Sequence, residues 1–182
     1  MSEIINMTDK QTAENELTEY VKAMLSLTPF GRDGFGTIFP EGIKAEPCQA
    51  LSYRQMRFLD DHIEQKACYN NSVKSMTELM SIDRQAAHET GWNITDKPGL
   101  TYVMGYGLSV IPIEHAWIKV DGIYYDPTWQ KFSKLSDYYF PMFEVQYPDI
   151  FDMLTEFGFC PPSPLDYLTK VLLENHRQNK AV

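Results

Sequence analysis

Three residues of this chain have the types and the spacing for thiol-based acyl transfer: Cys68, His115 and Asp126. The histidine and the aspartate fall in one stretch, HAWIKVDGIYYDPTW over 115–129, where an Asp-Gly pair separates two apolar and aromatic runs. Asp-Gly is among the strongest two-residue hairpin signals. With Asp121 and Gly122 as the turn, Val120 faces Ile123, and stepping outward pairs Trp117 with Asp126 and His115 with Thr128. Asp126 then projects on the same face as His115, as its diagonal neighbour, at roughly 7–8 Å between backbones, a gap that side chains span. A one-residue bulge would send it to the other face. In such a centre the imidazole takes the thiol proton and returns it to the leaving group, while the carboxylate fixes the imidazole tautomer.

The cysteine needs an element that favours its thiolate. Over 53–82 the apolar spacing is helical, with Met56, Leu59 and Ile63 on one face and Val73, Met76, Leu79 and Met80 on another. The pattern breaks near Cys68, where Asn70, Asn71 and Ser72 favour a helix start. Cys68 is thus expected close to a helix N-terminus, whose partial positive charge stabilises a thiolate. Gln65, three residues earlier, is expected on helix and is a candidate to donate to an oxyanion together with the Cys68 N–H. Trp117 shares the His115 face by parity and could wall the site; Tyr106 is a candidate lining residue. Glu114 alternates to the opposite face, toward solvent.

Around these elements, Leu17, Tyr20, Val21, Met24 and Leu25 predict a helix over 14–27. The Gly- and Pro-rich stretch that follows, TPFGRDGFGTIFPEGIKAEP, reads as a long irregular connection flanking the site, and its glycines do not fit a dinucleotide fingerprint. A polar stretch containing Gly91, Pro98 and Gly99 leads to strands TYVMGYGLSV, IPIEHAWIKV and IYYDPTW. The C-terminal third reads as helix. One segment runs from about 148 to 157 and stops at Gly158; another is capped by Ser163, has Pro164 first, and ends among His176, Arg177 and Lys180. The order helix, strands, helix predicts an α+β fold with an antiparallel sheet, as a single domain over 1–182.

The chain has 182 residues, 43% of them hydrophobic, enough for one core. A net charge of -9, without a Lys or Arg block, argues against a nucleic-acid partner. No run approaches the roughly 18 apolar residues of a membrane span, and the N-terminal stretch lacks a signal-peptide pattern, so no membrane partner and a cytoplasmic location are expected. Cys48, Cys68 and Cys160 form no Cys-x-x-Cys pair; Cys48 and Cys160 are expected as buried free thiols. His62, His88 and His176 have no partners at metal spacing, and no metal or cofactor is expected. Oligomeric state is not encoded in these patterns.

The order of a helix-borne cysteine, YVMGY, HAWIKV and YYDPTW resembles the core of the transglutaminase-like superfamily, over about residues 65–129. It is also similar to a group of small bacterial and phage proteins with a Cys-aromatic-x-Asn segment and a nearly identical HAW and DPTW ending. The resemblance implies Cys68 as nucleophile, His115 as general base and acid, and Asp126 as orienting carboxylate, on an antiparallel sheet packed against the cysteine helix. The cysteine lacks the following Trp of many transglutaminases, and there is no acidic calcium loop. The expectation is therefore hydrolysis of an amide in a peptide or protein substrate, of the peptidase or deamidase type. A transglutaminase, or a non-catalytic binding module on the same scaffold, is the alternative.

Overall fold

A computed structural model describes residues 2–92, 99–109 and 111–180. Pro98 and Val110, which the sequence places in the polar stretch and at a strand end, lie outside the described residues. Helices α1 (Ser2–Leu25), α2 (Gly31–Ile38), α3 (Tyr53–Leu59), α4 (Cys68–Ser81) and α5 (Arg84–Thr90) precede strands β1 (Leu100–Leu108), β2 (Pro112–Val120) and β3 (Ile123–Tyr125). Then come α6 (Pro127–Phe132), β4 (Tyr139–Gln146), α7 (Ile150–Glu156) and α8 (Pro164–Lys180). The fold is α+β, with one antiparallel sheet in the order β3-β2-β1-β4.

The two faces of the sheet have different jobs. On one, Tyr102, Met104, Ala116 and Ile118 pack against Leu59 of α3, Ile63 just beyond it, and Met76 and Leu79 of α4. Farther along that face, Tyr106 and Phe140 meet Leu17, Val21 and Leu25 of α1, Phe35 of α2, and Leu168 and Leu172 of α8. Each such side chain contributes about 1.5–3 kcal/mol by leaving water. Val103, Trp117 and Tyr139 form a smaller cluster on the other face, covered by Cys48, Trp129 and Leu135.

Several expectations require correction. The first helix begins at Ser2, well before residue 14, and ends at Leu25. Its early turns carry no apolar stripe but are free of Gly and Pro, so a periodicity criterion overlooks them. The stretch expected to be irregular contains α2, which is held by burying Phe35 and by Gly34, whose missing Cβ would lie 3.1 Å from Leu172. The polar stretch contains α5, capped by Asp83 and closed by Gly91 in the left-handed region.

The C-terminal third is not all helix, because β4 pairs with β1. Its central Pro141 disguises it as a non-strand, yet a proline is tolerated on an edge strand, and here it sits opposite Gly105 at a register shift. IYYDPTW is strand only as far as Tyr125. Asp126 instead caps α6 and Pro127 opens it. Cys160 is exposed and Cys48 half-buried, so neither is a fully buried thiol.

Among the described residues, no helix is long and apolar enough to cross a membrane.

Candidate functional site

The hairpin sets the site. Asp121 and Gly122 both have positive φ (48° and 88°), as a two-residue type I′ turn requires, and the register is Val120 with Ile123, Lys119 with Tyr124 and Ile118 with Tyr125. The expected register therefore holds as far as β3 runs. The backbone then leaves the sheet, and the Asp126 side chain reaches back to His115. Nε2 of His115 lies 2.7 Å from Oδ2 of Asp126, with the two side chains 2% and 0% exposed.

Asp126 is held from three sides. Besides the imidazole, its Oδ2 accepts a hydrogen bond from Tyr139 Oη at 2.8 Å, and its Oδ1 accepts one from the Trp129 N–H at 3.0 Å, the helix-capping contact. The carboxylate cannot rotate without breaking one of them. Because it accepts only, Nε2 must carry the proton, and Nδ1 is left free to accept one. The imidazole's other side-chain partner is Cys68. Burial pushes His115 toward the neutral form, but the charge and hydrogen bond of Asp126, together with Cys68, more than offset it and raise the imidazole to about 9. At neutral pH the pair favours an imidazolium beside the sulfur.

Cys68 is the first residue of α4 and is half-buried. Its helix packs on one face of the sheet, whereas His115 shares the other face with Trp117 and Tyr139. They meet around the edge of β2, which β3 leaves unpaired below Ile118. The turn before Cys68 places Lys66 at φ 63°, a sparsely occupied region for a residue with a side chain. Asn71, fully buried, fixes that turn: it accepts from the Glu64 N–H at 3.0 Å and donates to the Glu64 carbonyl at 2.7 Å and to Thr128 Oγ1 at 3.1 Å. Asn71 thus ties the cysteine turn to the first turn of α6.

Cys68 and His115 face a cleft of about 380 Å³ whose other walls include Gln65, Lys66, Glu114 and Trp129. Gln65 lies in the turn ahead of α4 rather than on a helix, and its exposed side chain faces the cleft. Glu114, expected to point to solvent alone, also lines it. Trp117 and Tyr106 do not. Trp117 is fully buried behind the imidazole, with ring centroids 6.0 Å apart, and Tyr106 packs in the α1 core, its hydroxyl donating to Glu114 Oε1 at 3.3 Å.

The aromatic wall is instead Trp129, stacked on His115 with centroids 4.4 Å apart and planes 23° from parallel. An electron-rich face there favours the imidazolium. Gly107 makes room for it, since a Cβ at 107 would fall 2.4 Å from Trp129 Cη2. Trp129 and Tyr139 were not among the residues singled out from the sequence, and Asn71 was singled out only as a helix-start residue. The first was findable: Asp-Pro is a cap followed by an N1 proline, and the N–H it caps belongs to the residue three on.

Burial and then the Asp126 charge raise the Cys48 thiol and keep it protonated. Among the described residues, no group of three or more His, Cys, Asp or Glu side chains could hold a metal ion. No family model, curated protein or solved structure matches this chain.

Proposed function

We propose that this protein is a cysteine-dependent acyl-transfer hydrolase acting on an amide of a peptide or protein, built on a transglutaminase-like core. Cys68 is the nucleophile, His115 the general base and acid, and Asp126 the orienting carboxylate. The observation that carries the reading is the buried His115, whose Nε2 is 2.7 Å from an Asp126 carboxylate and whose other partner is the Cys68 side chain. Nothing in packing alone calls for an ionisable pair at 2% and 0% exposure.

The thiolate adds to the amide carbonyl, and the oxyanion turns toward the Cys68 N–H at the helix tip, with Gln65 in reach of the same cleft. His115 then protonates the leaving nitrogen as the C–N bond breaks. Water attacks the resulting thioester, giving up its proton to the imidazole as the thiolate departs. Each step uses Nδ1, since Nε2 stays with Asp126.

The test is iodoacetamide alkylation of the folded protein at pH 7, read cysteine by cysteine by mass spectrometry. Cys160 is the internal standard because it is exposed. Cys68 should react at least about tenfold faster despite being less accessible, and His115→Ala should remove the advantage. A Cys68 rate at or below that of Cys160 overturns the proposal.

A further inference from the structure

Beside the Cys68 cleft is a second cavity of about 470 Å³, and the two share Ile113, Trp129 and Ser133. None of residues 65–69 lines the second; its remaining walls are Leu108, Ser109 and residues 134–137. It lies on the flank of the Trp129–His115 stack away from the helix tip. It is mixed in character: Leu108, Ile113, Trp129 and Leu135 face Lys134, Asp137 and three serines, and Ile113 is 42% exposed. Leu108, Ile113, Trp129 and Leu135 give an apolar side chain a surface to leave water against.

The groove follows the unpaired edge of β2. A two-residue hairpin turn is flanked by a pair that exchanges both backbone hydrogen bonds, and the bonding direction alternates from there. Val120, Ile118, Ala116 and Glu114 therefore direct N–H and C=O away from β1. Of these, Glu114 lines the cleft, so its main chain can pair with an extended substrate at the point where sulfur and imidazole meet.

The chemistry fixes which half of a substrate lies where. With the carbonyl carbon at sulfur and its oxygen toward the helix tip, the leaving nitrogen must lie against the imidazole that protonates it. The amine half thus departs across Trp129 and toward the second cavity. We infer that the cavity between Leu108, Ile113, Trp129 and Leu135 is the subsite for the amine half of the substrate, and that it selects an amino component with a large apolar side chain. This rests on the thiol chemistry proposed above. Thioester formation and aminolysis traverse the same geometry in opposite directions, so the subsite also receives an incoming amine.

The experiment acylates the full chain with p-nitrophenyl acetate. The Cys68 thiolate adds to the acetyl carbonyl, the ester C–O bond breaks, and p-nitrophenolate leaves. The thioester is resolved by water, giving acetate, or by an amine, giving an acetamide; in both cases His115 takes the nucleophile's proton and the thiolate is expelled. Phenylalanine amide and glycine amide are offered separately at about pH 8, where much of each amine is unprotonated.

N-acetylphenylalanine amide should form at least about tenfold more efficiently than N-acetylglycine amide, the effect of partly burying one aromatic side chain. Ile113→Asp charges the shared wall at an exposed position and should bring the two amines within about twofold; Ser133→Trp, which fills the shared mouth, should do the same. A Cys68-dependent burst with no preference between the amines, or a preference that survives both substitutions, overturns the subsite and leaves the thiol chemistry standing. Absence of a Cys68-dependent burst overturns both.

Discussion

Asp126→Asn changes one atom in a side chain that makes three hydrogen bonds. The amide oxygen can still accept from the Trp129 N–H, which preserves the cap of α6. The amide nitrogen then faces His115 Nε2, where the carboxylate oxygen was 2.7 Å away. An N–H donor there requires Nε2 to accept, which moves the ring proton to Nδ1, the nitrogen that takes the thiol proton in the proposed chemistry. The tautomer is inverted with the fold retained. In the serine counterpart of this arrangement the same change costs on the order of 10⁴ in turnover.

The charge lost is as informative as the proton moved. Burial opposes the imidazolium, and Asp126 is the first-ranked influence that opposes burial and holds His115 up to about 9. Without it the main opposition to burial is gone, and the imidazole falls from about 9. That fall removes the part of the preference for the imidazolium that Asp126 supplies, about 1.4 kcal/mol for each pH unit. At pH 7 the protonated fraction of His115 falls from about 99%.

With an amide substrate such as a peptide p-nitroanilide, whose leaving nitrogen takes its proton from the imidazolium, kcat/KM should therefore show an alkaline limb at about 9 in the parent chain, displaced downward in Asp126→Asn. Stability should follow the same sign. A histidine whose folded pKa is raised contributes stability that is fully present below about 6.5 and lost as pH rises through 9; urea midpoints should show this loss in the parent and not in the variant. Cys68 alkylation at pH 7 should fall in Asp126→Asn and in His115→Ala, with the double variant little worse than His115→Ala alone. An unchanged alkaline limb, or additive losses in the double variant, refutes the coupling of the three residues.

Gly107→Ala places a methyl group where the Trp129 ring lies, 2.4 Å from Cη2, and should cost about 1–3 kcal/mol in urea unfolding as the ring is displaced. It should also lower the alkaline limb of activity, because His115 loses its stacked face; an unperturbed limb would mean that the stack only fills space. Asn71→Ala removes three hydrogen bonds and leaves both polar groups of the Glu64 backbone without that partner, a loss of about 3 kcal/mol by denaturant midpoint. Its Cys68 should alkylate no faster than Cys160, since the turn that aims the thiol is no longer tied to α6; retained selectivity would show that the helix tip alone sets reactivity.

Local sequence patterns carried the parts of the site that local rules determine. The Asp-Gly turn fixed the register of β2 against β3, and the run Asn70 to Ser72 placed Cys68 close to the start of its helix. What was hidden depends on contacts between distant segments. Tyr139 reaches Asp126 only because β4 joins the sheet, and Pro141 concealed that strand. Asn71 looked like a helix-start residue and serves as a tie between two turns 57 positions apart. Parity also placed Trp117 correctly beside His115 but could not tell the front of an imidazole from its back; the front belongs to Trp129, on an element that the strand assignment had absorbed.

That misassigned boundary explains why the cleft lies here. Had the hairpin continued as a ladder, Thr128 would pair with His115 and a third strand would fill the edge of β2 at the place where the thiol now meets the imidazole. The Asp-Pro step prevents this in two ways: proline lacks the N–H a ladder requires, and aspartate caps a helix better than it extends a strand. Ending β3 at Tyr125 thus clears the edge for the α4 tip and turns the chain so that the capping carboxylate faces His115. The residue that terminates the strand is the residue that orients the histidine. A substitution that lengthened β3 would therefore close the cleft and strip the imidazole of its partner in a single step.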